Sequence, residues 1–181
     1  MSAKMYFLAI LTPQEVNVKV LEWKYYMREH FGCVVALRSP AHITLIAPFW
    51  MNEELENSLK ADVQSFAAYQ HPLKIELIDF DAFRPKVIFL HVMPTEQLAN
   101  LRSALEADLL SKGKYPIKTE ARPFHPHVTI ANRDLLRKDF PEAFKHFKKI
   151  AYKQAFLANE VSLLKHTGGE WNTIQKFPFP S

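Results

Sequence analysis

Two tetrapeptides in this chain set an imidazole and a hydroxyl on one side of an otherwise apolar strand. They are His42-Ile43-Thr44-Leu45 and His127-Val128-Thr129-Ile130. Residues i and i+2 of a strand share a face. His42 and Thr44 therefore point one way while Ile43 and Leu45 point the other, and His127 and Thr129 stand in the same relation to Val128 and Ile130. Each tetrapeptide follows a proline closely, Pro40 or Pro126. With 8 His and 7 Thr in 181 residues, random placement gives on the order of 0.1 such tetrapeptides, so a pair calls for a common cause. One His-x-Thr is explained by a core histidine bonded to a backbone carbonyl and by the strand preference of threonine. Two are not, because burying two polar pairs carries the desolvation penalty twice.

The chemistry such a pair suits is general acid–base catalysis. Histidine titrates near 6.5, so at neutral pH one ring can accept a proton while another donates one. On either side of a phosphodiester, the two rings could activate a water and protonate the leaving oxygen. The two hydroxyls would bond the non-bridging oxygens as charge shifts across the phosphoryl group. No metal or other cofactor is needed for this. Around the motifs stand candidates for substrate contact. His125 shares the face of His127 if its strand starts early. Arg84 lies in a turn and could hold a phosphate. Arg133 follows the second motif after Asn132. Phe7, Phe49, Tyr115 and Trp171 could stack a base. His91 reads as a satisfied buried histidine, and His30, His71, His146 and His166 as surface residues.

The elements that must position these residues follow from periodicity. Residues 5–12 read as a buried strand. Thr12-Pro13 opens a helix over 14–31, with Val16, Val20, Trp23 and Met27 at helical spacing and Gly32 as its stop. Strands are expected at 33–37 and 42–49, a helix from an Asn cap over 52–69, and strands at 73–80 and 86–93. Thr95 opens a helix over 95–110. A strand at 127–132, a helix at 134–149 and closing strands in AFLANEVSLLKHT and WNTIQKFPF complete the chain. Strands and helices are mixed, with turns short enough for antiparallel neighbours, so the class is α+β.

Composition narrows the function classes. Hydrophobic residues make up 48% of the chain, enough for a sizeable core. There are only 4 Gly, and neither a G-x-G-x-x-G nor a P-loop sequence occurs. The net charge of +4 and the pI of about 9.1 suit a polyanionic partner such as RNA or a nucleotide. Cys33 is the single cysteine, so it forms no disulfide within the chain, and its apolar setting reads as packing rather than nucleophilic catalysis. No apolar run is long enough to span a membrane and the N-terminus lacks a secretory pattern. A cytoplasmic, monomeric protein is the expectation.

At the two tetrapeptides the chain resembles the two-histidine phosphoesterase superfamily, the group of the 2′-5′ RNA ligases and RNA 2′,3′-cyclic phosphodiesterases. FLAIL near the start, FRPKVIFLHV in the middle and VSLLKHTGGEWNTIQKFPF at the end agree, so the resemblance spans nearly all 181 residues. It implies a bilobal LigT-like α+β fold, one domain of two pseudo-symmetric lobes whose sheets flank a central cleft. It also implies metal-independent hydrolysis of a 2′,3′-cyclic phosphodiester on an RNA end or a small nucleotide, leaving a 2′-phosphate. A reverse 2′-5′ ligation is possible in the same family. In that scheme His127 is the base and His42 the acid. A non-catalytic RNA- or nucleotide-binding module would use the same cleft, but binding alone does not call for two groups that titrate near neutrality. A metallohydrolase would need His125, His127 and a distant carboxylate.

Overall fold

The computed structural model describes residues 2–181. Its elements are β1 (Ala3–Leu11), α1 (Gln14–Phe31), β2 (His42–Asn52), α2 (Glu56–Ala67), β3 (Leu73–Phe83), β4 (Val87–Val92), α3 (Glu96–Ser111), β5 (His127–Ala131), α4 (Phe140–Phe147), β6 (Lys153–Ala158), β7 (Glu160–Thr167) and β8 (Glu170–Pro178). The strands form two antiparallel four-stranded sheets, ordered β2-β1-β7-β8 and β5-β4-β3-β6. The class is α+β, as expected. Both His-x-Thr strands are edge strands, and each is preceded in the chain by its neighbour and a helix: β1-α1-β2 in one sheet, β4-α3-β5 in the other.

Strand alternation separates two environments. From β1, the residues Tyr6, Leu8 and Ile10 enter the main core, and from β4 so do Ile88, Leu90 and Val92. That one buried cluster draws on both sheets. The opposite face of the first sheet carries a small separate cluster of Phe7, Ala9 and Leu164, flanked by Leu11 and Trp171. This second face holds His42 and Thr44, since Leu11 pairs with His42 and Ala9 with Thr44. In the other sheet His91 pairs with His127 and Phe89 with Thr129.

The helices tie the sheets together by crossing over. Although α1 follows a strand of the first sheet, its Trp23 packs edge-on to Phe80 of β3 (4.8 Å) and to Tyr152 ahead of β6 (5.0 Å). Tyr26 of α1 stacks on His146 of α4 at 3.9 Å. Conversely α3, which follows β4, lies beside α2 and β2. Tyr115, just after α3, donates a 2.5 Å hydrogen bond to Asp62 of α2. Glu56 at the start of α2 accepts from Tyr6 (2.9 Å) and Lys165 (2.7 Å) of the first sheet.

Several local expectations need correction. Residues 33–37 are not a strand: Val35–Arg38 form a 3₁₀ turn. The Asp134 carboxylate accepts from the N–H groups of Val34 (2.6 Å) and Val35 (2.9 Å), giving them a partner other than a strand ladder. Thr12 does not cap α1; Pro13 takes the cap position, and the Thr12 hydroxyl donates to the Ala41 carbonyl. The last helix starts six residues later than expected, at Phe140. AFLANEVSLLKHT divides at Asn159 into β6 and β7, which belong to different sheets. Asn52 caps the 3₁₀ turn Glu53–Leu55 rather than α2, which starts at Glu56. Two helix ends follow the sequence: Thr95 accepts from the Leu98 N–H (3.2 Å), and Gly32 closes α1 at φ 69°.

Candidate active site

Each motif histidine is held in the same way. His42 donates Nδ1–H to the carbonyl of Pro40 at 2.7 Å, and His127 donates Nδ1–H to the carbonyl of His125, also at 2.7 Å. A carbonyl oxygen only accepts, so Nδ1 must carry the hydrogen in both rings. The bond fixes the tautomer and leaves Nε2 with the free lone pair. The proline near each motif thus belongs to a tight approach that turns a backbone carbonyl toward the ring two residues on. Thr44 and Thr129 are half-buried on the same faces, and among the described residues neither hydroxyl is committed to a hydrogen bond.

The two motifs converge. The strands β2 and β5 lie against one another, and His127 is close enough for its positive charge to depress the titration of His42. Burial is the larger cause: it brings His42 down to about 4, aided by the buried Lys24 and by His127 and opposed by the Pro40 bond. His127 is also lowered, chiefly by burial and partly by His125.

Aromatic rings support both histidines. Phe7 lies 4.8 Å from the His42 ring, and Trp171 meets Phe7 edge-on at 4.6 Å. Phe89 lies 5.1 Å from His127, and Phe83 is 5.0 Å from both His125 and His127. His125 completes this group, 6.0 Å from His91. His91 is not the satisfied histidine expected: its buried Nδ1 has no hydrogen-bond partner among the described residues.

The structure therefore gathers Phe7, Trp171 and His125 around the motifs with the four motif residues. Two expected contacts fall elsewhere. Phe49 is on the core side, buried against Tyr6, because it lies an odd number of residues after His42, on the face of Ile43 and Leu45, and the two register shifts on either side of Ile46 cancel. The Arg84 guanidinium lies over Phe140 (5.5 Å) and Phe144 (5.2 Å) of α4. Tyr115 is likewise not free to stack, being buried and bonded to Asp62. Arg133 is exposed and has no ion-pair or ring partner among the described residues. Cys33 is buried, and burial pushes its thiol up to about 11, as suits a packing residue. No helix among the described residues is long and apolar enough to cross a membrane. No three His, Cys, Asp or Glu side chains among them are grouped to hold a metal ion.

Sequence reasoning missed Phe83 and Lys24. Phe83 extends β3 into what reads as a turn. Lys24 is 3% exposed, and its ammonium donates to the Ser39 carbonyl at 2.9 Å. A signal existed: Lys24 lies four residues after Val20 and three before Met27, on the buried side of α1.

Two antiparallel sheets thus each bring an edge strand with His-x-Thr against the other, the arrangement of the two-histidine phosphoesterase class. The chain belongs to the 2′-5′ RNA ligase superfamily, whose family model matches residues 12–170. A Geobacillus kaustophilus protein whose name places it among phosphoesterases is 27% identical over 145 residues, covering 79% of this chain and 77% of its own. The RNA 2′,3′-cyclic phosphodiesterase of Bacillus subtilis is 29% identical over 104 residues, covering 55% of each. In fold, the chain is similar to E. coli LigT complexed with 3′-AMP, with a TM-score of 0.72 and 20% identity over 99% of this chain and 100% of that one. It is also similar to the TT0787 protein of Thermus thermophilus, with a TM-score of 0.70 and 21% identity over 97% of both.

Proposed function

We propose that this protein is a single domain of two pseudo-symmetric lobes that hydrolyses 2′,3′-cyclic phosphodiesters, on RNA ends or small nucleotides, by metal-independent acid–base catalysis. The observation that carries this reading is the mirrored pair of 2.7 Å Nδ1–H bonds. It leaves two free Nε2 atoms on strands that meet, with Thr44 and Thr129 beside them. One Nε2 takes a proton from water as its oxygen attacks phosphorus. The other ring, protonated, gives its Nε2 proton to the departing 3′ oxygen, leaving a 2′-phosphate. Thr44 and Thr129 donate to the non-bridging oxygens, and Phe7 with Trp171 offers stacking surface for the base. Membership of the family and the Bacillus subtilis relative's name agree with this reaction.

The resemblance makes His127 the base and His42 the acid. Electrostatics favour the reverse order. A ring brought down to about 4 by burial is neutral at pH 7, which suits proton acceptance, so His42 is the base. His127 lacks the nearby Lys24 charge among its depressing influences, so the negative charge of a bound phosphate favours its protonated form more readily, and it is the acid. A substrate with a low-pKa aryl leaving group decides the order. It needs no acid, so it should restore turnover in His127→Ala and not in His42→Ala; the opposite pattern reverses the assignment. Turnover of a nucleoside 2′,3′-cyclic phosphate in EDTA tests the reaction itself. Binding without turnover would leave a recognition module, and turnover only with added metal would overturn the metal-free scheme.

A further inference from the structure

Lys24 is a buried cation without a counterion among the described residues. Its side chain is 3% exposed, and its hydrogen-bond partner there is the neutral carbonyl of Ser39. Burial lowers it to about 8, so at neutral pH it is still mostly charged. A buried ammonium lacking an anion is costly, and most proteins pair it or expose it. Here it lines an open cleft of about 190 Å³ together with Asn17, Arg38, Pro40, Glu170 and Trp171.

This cleft adjoins the candidate active site at two points. Pro40 supplies the carbonyl that holds His42. Trp171 packs on Phe7, the ring beside His42. Lys24 is near enough for its charge to act on His42. The exposed acid of the lining, Glu170, sits at the start of β8, where water screens it. The buried Lys24 charge is screened far less, and the exposed Arg38 beside it is free to fork onto an oxyanion. Two cations and one acid thus line the cleft, and Lys24 is the one buried, least-screened charge among the three.

We propose that this cleft binds a second phosphate of the substrate, distinct from the one hydrolysed, through Lys24 and Arg38, with Trp171 between the two phosphate positions. The inference rests on the cyclic phosphodiesterase reading and narrows its substrate class. The preferred substrate carries a further phosphate on the nucleoside that bears the cyclic phosphate, either the internucleotide diester of an RNA end or the 5′-phosphate of a mononucleotide.

Equilibrium binding separates this from catalysis, since it needs no turnover. Adenosine 3′,5′-bisphosphate should bind the wild-type protein about tenfold or more tightly than adenosine 3′-monophosphate, the gain expected of a charge-assisted hydrogen bond. A dinucleotide with a 3′-terminal phosphate forms the second arm. The tighter of the two two-phosphate ligands identifies the source of the second phosphate. Lys24→Met should bring the affinity ratio near one, while Lys24→Arg should keep most of it. Arg38→Gln, on an exposed side chain that folding does not need, should reduce the ratio even if Lys24→Met fails to fold. Equal affinities for one- and two-phosphate ligands in the wild type, or a ratio untouched by Arg38→Gln and a folded Lys24→Met, would overturn the inference. If the ratio behaves as stated but no cyclic phosphate is turned over, the phosphate subsite stands and the hydrolytic reading falls.

Discussion

His42 is held neutral by its surroundings, and that has a measurable effect on folding. In the unfolded chain its ring takes a proton below its ordinary value of 6.5; in the folded protein it does so only below about 4. Between those limits the unfolded state binds more protons than the folded one, so stability falls as pH falls across the window. Above 6.5 the ring is neutral in both states and contributes no slope. The displacement corresponds to at most about 3 kcal/mol, because one unit is worth about 1.4 kcal/mol and the ring is partly open to solvent. His42→Gln removes the titration while its amide can still donate to the Pro40 carbonyl. Urea unfolding followed by circular dichroism should therefore show wild type losing stability relative to the variant from pH 6.5 down to about 4, approaching that ceiling. His127 and His146 are lowered too, but they act in both proteins and cancel in the comparison. So does Glu56: burial alone would raise it, yet the bonds from Lys165, Lys60 and Tyr6 win and hold it at about 2. Parallel curves for the two proteins would refute a neutral, desolvated His42 and with it the choice of this ring as base.

Other measurements bear on the remaining parts of the structure. His42→Ala and His127→Ala should each lose at least about 10² in the initial rate on a cyclic nucleotide, with the double variant scarcely slower, since paired groups act as a unit; additive losses would show that the rings work independently. Trp23→Ala should lower unfolding free energy by about 3–5 kcal/mol, because the ring is buried between Phe80 and Tyr152 and joins α1 to the second sheet. A loss under about 1 kcal/mol in a denaturant melt would mean that this crossing adds little. Lys165→Met should cost about 1–3 kcal/mol at neutral pH, because it leaves the half-buried Glu56 without the cation that bonds it at 2.7 Å; an unchanged urea midpoint would show that Lys60 and Tyr6 suffice.

Much of this protein is local physics and reads directly from the chain. The spacing of Val16, Val20, Trp23 and Met27 makes α1, Gly32 ends it in the left-handed region, and Thr95 caps α3. The period of two in β2 and β5 puts His42 with Thr44, and His127 with Thr129, on one face each. The sequence therefore determined the α+β class, most element positions and the two motif faces. Where a distant side chain intervened, local reading failed. Asp134 bonds the backbone N–H groups of Val34 and Val35 and turns an expected strand into a 3₁₀ turn. Phe49, by contrast, was legible: it lies an odd number of residues after His42, on the face of Ile43 and Leu45, and the stacking expectation overlooked that alternation.

What only the tertiary structure decided is which segments meet. Asn159 divides one apolar run into strands of opposite sheets, and α1 and α3 cross to serve the sheet they do not follow. The approach of β2 to β5, and with it the His127 charge felt at His42, joins segments far apart in the chain. The physical reason is one of range. Hydrogen bonding along the backbone and side-chain periodicity act over a few residues. Desolvation and the field at a titrating ring are summed over everything packed around it, whatever its place in the chain.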